Sequence, residues 1–169
     1  MKIEIINPNP PISLNEIDLF EAQFKIKLPK EYKEFLLVNN GGLCNFDIDI
    51  YYETKDEFNS EIYVSEFYKL EKVAHFIRCK DTTTSINECY KNGTIIIADY
   101  DTQEISIGFK KKNFGKVFHS IYMESVELTL IASSFDKFIN GLKKRQDFIH
   151  NNISTEDEVH WFTKYLMDN

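Results

Sequence analysis

His75 and Cys79 stand four residues apart, a spacing that puts an imidazole and a thiol on one helix face, where they could hold half of a tetrahedral metal site. The other histidines, His119, His150 and His160, fall on different predicted elements, and no second pair supplies the other half, so no metal site is expected. Asp99 and Asp101 flank Tyr100 at a predicted strand end like a carboxylate pair for a divalent cation. No third acid completes that set, and aspartate is frequent in turns because it hydrogen-bonds its own backbone. A hydrolase using Asp99, Asp101 or His119 is the enzymatic reading these residues allow. Against it, the chain has no Gly-x-Ser-x-Gly, no glycine-rich phosphate loop and no His-Glu-x-x-His. Gly41-Gly42 follows a predicted helix rather than opening one, so it is not placed to cradle phosphate. No catalytic residue and no cofactor are expected.

A second grouping has the chemistry of binding instead. Asp47, Asp49 and Glu53 fall on the solvent face of one strand by period 2, and Asp56, Glu57, Glu61 and Glu66 follow closely. Like charges this near repel one another. A basic partner would offset that cost and gain on-rate from electrostatic steering. The competing explanation is an edge strand guarded by charge against aggregation. These seven acids are the candidate partner-binding residues.

The charge distribution agrees. Of a net −7, residues 1–42 contribute −1, residues 43–108 contribute −7 and residues 109–169 contribute +1. With that balance, and 18 Lys against 2 Arg, direct nucleic-acid binding is not expected, because bidentate recognition of phosphate or guanine favours arginine. No apolar run is longer than that of Ile95–Ala98, far short of a membrane span, and the first residues lack the apolar stretch of a secretory signal. Three cysteines without tight spacing argue for a reducing compartment, so a cytoplasmic location is expected. The 14 Phe, 9 Tyr and 1 Trp are enough core-forming side chains for one domain of 169 residues.

The elements that position these residues can be read from period and punctuation. After a strand-like Ile3–Ile6 and the turn Asn7–Pro11, Ser13 and Glu16 form a capping box for a helix with Leu14, Ile17, Phe20 (or Glu21) and Phe24 on one face. Pro29 suits the first position of a second helix, with Tyr32, Phe35 and Leu36 inward and Lys30, Lys33 and Glu34 toward water. Asn39–Gly42 ends it. Phe46, Ile48, Ile50 and Tyr52 then alternate with polar residues as a strand, and Glu61–Tyr68 reads as another. Leu70–Ile77 and Ser85–Tyr90 suggest helices. Thr94–Ala98, Glu104–Phe109 and Lys116–Ile121 read as an antiparallel meander. Ser133 caps a long final helix bearing Phe135, Phe138, Ile139, Leu142 and Ile149. Thr155-x-x-Glu158 opens a short helix with Val159, Phe162 and Leu166. The expected class is α+β, a single domain with helices on a mostly antiparallel twisted sheet.

Leu28-Pro29, Tyr32, Phe35-Leu36 and Asn40-Gly41-Gly42 resemble the signature block of the SUKH superfamily, which includes the fungal cell-wall-assembly regulators. Glu21 and Phe24 before it, Gly93–Ile97 with Ala98-Asp99, Gly115–Phe118 and Ser134-Phe135-x-x-Phe138 fit the same pattern. The resemblance covers most of residues 13–145, as the core of a single domain over 1–169, and leaves 146–169 as a C-terminal helical extension. It implies helices packed on an antiparallel sheet. Its bacterial members imply a non-enzymatic immunity protein that binds and neutralises a polymorphic toxin domain, contact-dependent or secreted, with a basic nuclease as the expected target. The alternative it implies is a regulatory or scaffold module of the cell-wall-assembly-regulator type. The expected partner is therefore a protein, not a membrane, and the expected state a monomer or weak homodimer. The family's signature residues are structural, so the binding residues rest on the charge argument alone.

Overall fold

The computed structural model describes residues 5–6, 8–44, 50–54, 60–82, 84–121 and 127–144. In chain order these form β1 (Ile5–Ile6), α1 (Leu14–Phe24), α2 (Lys30–Asn39), β2 (Gly42–Cys44), β3 (Ile50–Glu53), β4 (Glu61–Tyr63), β5 (Glu66–Phe67), α3 (Leu70–Arg78), α4 (Thr84–Lys91), β6 (Thr94–Tyr100), β7 (Gln103–Gly108), β8 (Val117–Ile121), β9 (Thr129–Ala132), α5 (Phe135–Gly141) and β10 (Leu142–Lys144).

Ser13 starts α1 as its capping box requires. The Glu16 amide donates to Ser13 Oγ at 3.2 Å, and the Ser13 amide donates to the Glu16 carboxylate at 2.7 Å, so two otherwise orphaned donors are satisfied. Ile17 and Phe20 are buried and Leu14 is exposed. The inward face also includes Glu21, only 2% exposed. Its carboxylate accepts the Lys27 ammonium and the Leu28 amide, each at 2.7 Å, and lies 3.3 Å from the Lys33 ammonium. Lys33 therefore turns back to an internal acid rather than out to water.

Pro29 sits one position earlier than its sequence context suggests, as the N-cap of α2 with an extended ψ of 145°. The extended Leu28-Pro29 link is what brings the Leu28 amide to Glu21. Tyr32 and Leu36 are fully buried; Tyr32 meets Phe135 edge-on at 5.2 Å, and Phe35 packs on Phe67 at 5.0 Å. Asn40 closes α2 in the left-handed conformation, φ 44°, its amide donating to Leu36 O at 2.8 Å. Its side chain ties together two more segments: Nδ2 donates to Pro10 O at 2.9 Å and Oδ1 accepts the Leu70 amide at 3.1 Å.

The main sheet has the order β1-β2-β5-β6-β7-β8-β9, with every named ladder antiparallel. Phe67, Ala98 and Ile105 lie in register on one face, where Phe67 meets Phe35 of α2 and Phe138 of α5. Buried side chains of α3 (Val73, Ala74, Ile77) and α4 (Ser85, Cys89) pack on the other face. The second sheet, order β10-β3-β4, is small. No helix among the described residues is long and apolar enough to cross a membrane.

Two expectations need correction, one strand was not expected, and other expectations fall outside the described residues. Glu61–Tyr68 is two strands in two sheets. The Val64 amide still donates to Ile50 O in the small sheet at 2.9 Å, while the Ser65 amide donates to Asp99 O in the main sheet at 2.9 Å, so the chain changes sheets between adjacent residues. β9 has no counterpart in the sequence reading. The last helix is capped by Ser134, not Ser133, through a 3.2 Å bond from the Lys137 amide, and it stops at Gly141. A Cβ on Gly141 would come within 2.6 Å of the Tyr52 ring, and Leu142 stays buried by entering β10 opposite Tyr52. Ile149, the 155–166 helix, the 146–169 extension and Phe46–Asp49 lie outside the described residues.

Candidate interaction surface

Alternation along β3, β4 and β10 divides the small sheet into two faces. Ile50, Ile62 and Leu142 are buried on the inner one, where Tyr52 also packs on Phe138 at 5.5 Å. The outer face carries Tyr51 and Glu53 from β3, Glu61 and Tyr63 from β4, and Lys143 from β10. Register sets Glu53 directly opposite Glu61 and Tyr51 opposite Tyr63. The two tyrosine rings lie 6.0 Å apart, and Tyr63 continues to Tyr100, at the end of β6, at 5.2 Å. Tyr100 is 36% exposed. The Tyr63 hydroxyl donates to Glu61 at 2.7 Å, and Lys143 is ion-paired with Glu53, which raises the lysine pKa. The result is a row of three tyrosines crossing the junction of the two sheets, beside two glutamates held side by side.

Of the seven candidate acids, the fold brings Glu53 and Glu61 together. Glu66 belongs to the main sheet, on a different acidic row. Register aligns Glu66, Asp99, Glu104 and Ser120 across β5 to β8. Glu66 is paired with Lys72 at 2.7 Å, and that ammonium also sits 3.7 Å from the Tyr68 ring centroid. Glu104 Oε1 accepts from Ser85 at 3.2 Å, and Ser120 faces the same carboxylate from the next strand. Burial holds the Glu104 pKa above the ordinary carboxylate value, and Asp99 adds to the shift. Burial, with Asp99 adding, likewise raises the Tyr68 hydroxyl. Asp47, Asp49, Asp56 and Glu57 lie outside the described residues.

Because the Glu104 charge is disfavoured in the folded chain, it lowers stability above its folded pKa, and the penalty disappears below the unfolded value. Glu104→Gln keeps an acceptor for Ser85 and is expected to stabilise the protein at pH 7 by roughly 0.5–1 kcal/mol, the scale of opposed like charges across strands. In urea melts, parent and variant should converge near pH 4; an equal difference at both pH values would contradict this account.

The residues of the hydrolase reading do not converge. Asp99 shares a face with Glu104, whereas His119 opposes Ile105 on the other face of the same sheet. Asp101 occupies the left-handed turn position, φ 53°, beyond β6. Burial lowers the His119 pKa and pushes the Cys89 thiol up to about 12, which keeps that thiol protonated and unreactive. His75 Nε2 and Cys79 Sγ lie 3.7 Å apart on α3, and no group of three His, Cys, Asp or Glu among the described residues could hold a metal ion.

The period of 2 that puts Glu53 on the outer face puts Tyr51 there too, but it does not reveal Tyr63 and Tyr100 as neighbours. No local signal identifies them, because Tyr63 joins through the β3–β4 register and Tyr100 through the junction of two sheets.

The SMI1 / KNR4 family (SUKH-1) matches residues 11–141, more than half of the chain. That span includes the Leu28–Gly42 block and ends just before β10. No curated protein matches the chain.

Proposed function

Because this chain belongs to the SMI1 / KNR4 family (SUKH-1), we propose that it acts by binding another protein rather than by catalysis, as a cytoplasmic immunity protein that occupies and neutralises a toxin domain. The observation that carries this reading is the outer face of the small sheet. Tyrosines are favoured anchors of protein interfaces, because a large rigid ring buries area at little entropic cost and keeps a polar tip for water or a partner. The Tyr51–Tyr63–Tyr100 row offers such an anchor, and Glu53 and Glu61 beside it supply the charge that steers a basic surface into register. Asp47 and Asp49 precede β3 in the chain, and Asp56 and Glu57 lie between β3 and β4 in sequence, so the acids cluster in the sequence that flanks these strands. A basic surface of this kind is what a nuclease presents to its nucleic-acid substrate. Covering it would block substrate access without any chemistry by the binder.

The test is survival. The C-terminal domain of a large secreted protein encoded next to this chain is expressed in cells with and without it. Rescue by this chain, and not by an unrelated member of the family, is the expected result. A toxic domain left unrescued would overturn the immunity reading in favour of the regulatory or scaffold module.

A further inference from the structure

β9 is the last strand of the main sheet, and among the described residues its ladder is the one to β8. Sheet edges are guarded by charge or proline within the strand, or by a bulge and short length, which limit pairing without forbidding it. Thr129-Leu130-Ile131-Ala132 has neither charge nor proline, and Leu130 is 52% exposed. The charges stand at the two ends instead. Exposed Glu127 precedes the strand, and Lys137 follows it, with its ammonium resting on Ser133 Oγ at 2.9 Å. Neither has an oppositely charged partner among the described residues.

An uncharged strand with an acid at one end and a base at the other is complementary to its own reverse. We propose that β9 pairs antiparallel with the β9 of a second copy of this chain. In a pairing centred on Leu130, the two Leu130 side chains meet at the two-fold axis. With Ile131 bulged out of the regular ladder, Glu127 of each copy then falls opposite the Ser133-Ser134 end of the other, beside the Lys137 ammonium. The two-fold makes both ion pairs at once, as an isologous interface requires, and a foreign strand would have no reason to match both ends. Phe118 pairs with Leu130 and Val117 with Ala132, which leaves Ile131 as an extra residue in a bulge. The bulge keeps the regular ladder short. The contact falls below the roughly 1,200 Å² of ordinary stable interfaces, so the association is weak and rises with concentration. It uses the main sheet, leaves the Glu53–Glu61 face to another partner, and does not depend on the immunity reading.

Sedimentation velocity on the full chain, from about 5 to about 500 µM in low salt, reads the association directly. The expected result is a shift of the weight-average coefficient toward dimer, reduced in 0.5 M salt. Glu127→Lys and Lys137→Glu alone should each weaken dimerisation at least about fivefold, in line with exposed ion pairs made twice. The double reversal should restore it. Leu130→Lys should abolish it. These positions are exposed, and Lys137→Glu puts an acid in the first turn of α5, where it is tolerated; thermal midpoints of the dilute variants check the fold. A chain that stays monomeric at the highest concentration overturns the proposal. So does a dimer indifferent to Leu130→Lys, or one in which the double reversal fails to restore the loss from the single ones.

Discussion

Gly41→Ala is expected to destabilise the protein by about 4 kcal/mol or to abolish its cooperative unfolding transition. Two independent costs combine there. Gly41 has φ +76°, a region that costs a residue with a Cβ roughly 1–2 kcal/mol. Its Cβ would also stand 2.5 Å from Phe67 O and 2.6 Å from both Tyr68 C and Lys69 N. All three are backbone atoms, and they cannot retreat cheaply. Phe67 is fixed in the sheet opposite Ala98 and Gly42, and the Leu70 amide just beyond is held by Asn40. Gly115 separates the two costs, because its φ is +75° but the nearest atoms to its Cβ are the Pro29 side chain at 3.8 Å. Gly115→Ala should therefore lose only about 1–2 kcal/mol. Chemical denaturation of both variants checks this, and equal losses would show that crowding at Gly41 is not what matters.

Glu21→Ala is the second large effect, about 3 kcal/mol, the scale for removing one partner from a buried charged network. The substitution strands the Leu28 amide and leaves Lys33 beside a vacated apolar site. Glu21→Gln keeps an acceptor but no charge and should lose roughly half as much. Burial alone would raise the Glu21 pKa; the Lys27 ammonium, the Leu28 amide and Lys33 outweigh it and hold the carboxyl below its ordinary value of 4.5. A carboxyl lowered by folding contributes stability that is fully present above its unfolded pKa and is lost as the pH falls through the folded one. Parent stability should accordingly fall more steeply than that of Glu21→Gln as pH drops below about 4.5. Parallel curves would contradict this role for the charge.

These two residues show what the sequence reveals and where it falls short. The α1 capping box, the Tyr32 and Leu36 stripe and the β6–β8 meander depend on neighbours a few positions apart, so period and punctuation expose them. Asn40-Gly41-Gly42 reads locally as a helix stop, but the reason Gly41 excludes a Cβ is the passage of Phe67–Lys69, more than twenty-five residues away. Glu21 occupies an apolar stripe position and Lys33 reads as a surface residue, until the extended Leu28-Pro29 link folds one onto the other. The change of sheet at Val64–Ser65 and the strands β9 and β10 are settled by distant partners, which a one-dimensional pattern cannot contain. The acids of the candidate surface could be read as a group. That Glu53 and Glu61 meet face to face while Glu66 joins Asp99 and Glu104 required the topology.

On the proposed function, the outer face of the small sheet binds the partner protein. The affinity of the purified complex with the rescued toxin domain, compared between the parent and Glu53→Lys/Glu61→Lys, tests it most directly. A loss of about 100-fold or more is expected, because two repulsive charges then meet a basic surface beside the tyrosine anchor. Glu34→Lys on the exposed side of α2 should leave the affinity within about threefold, as rim or distant charges do. An unchanged affinity for the double reversal, with both proteins folded, would place the interface elsewhere and contradict the account.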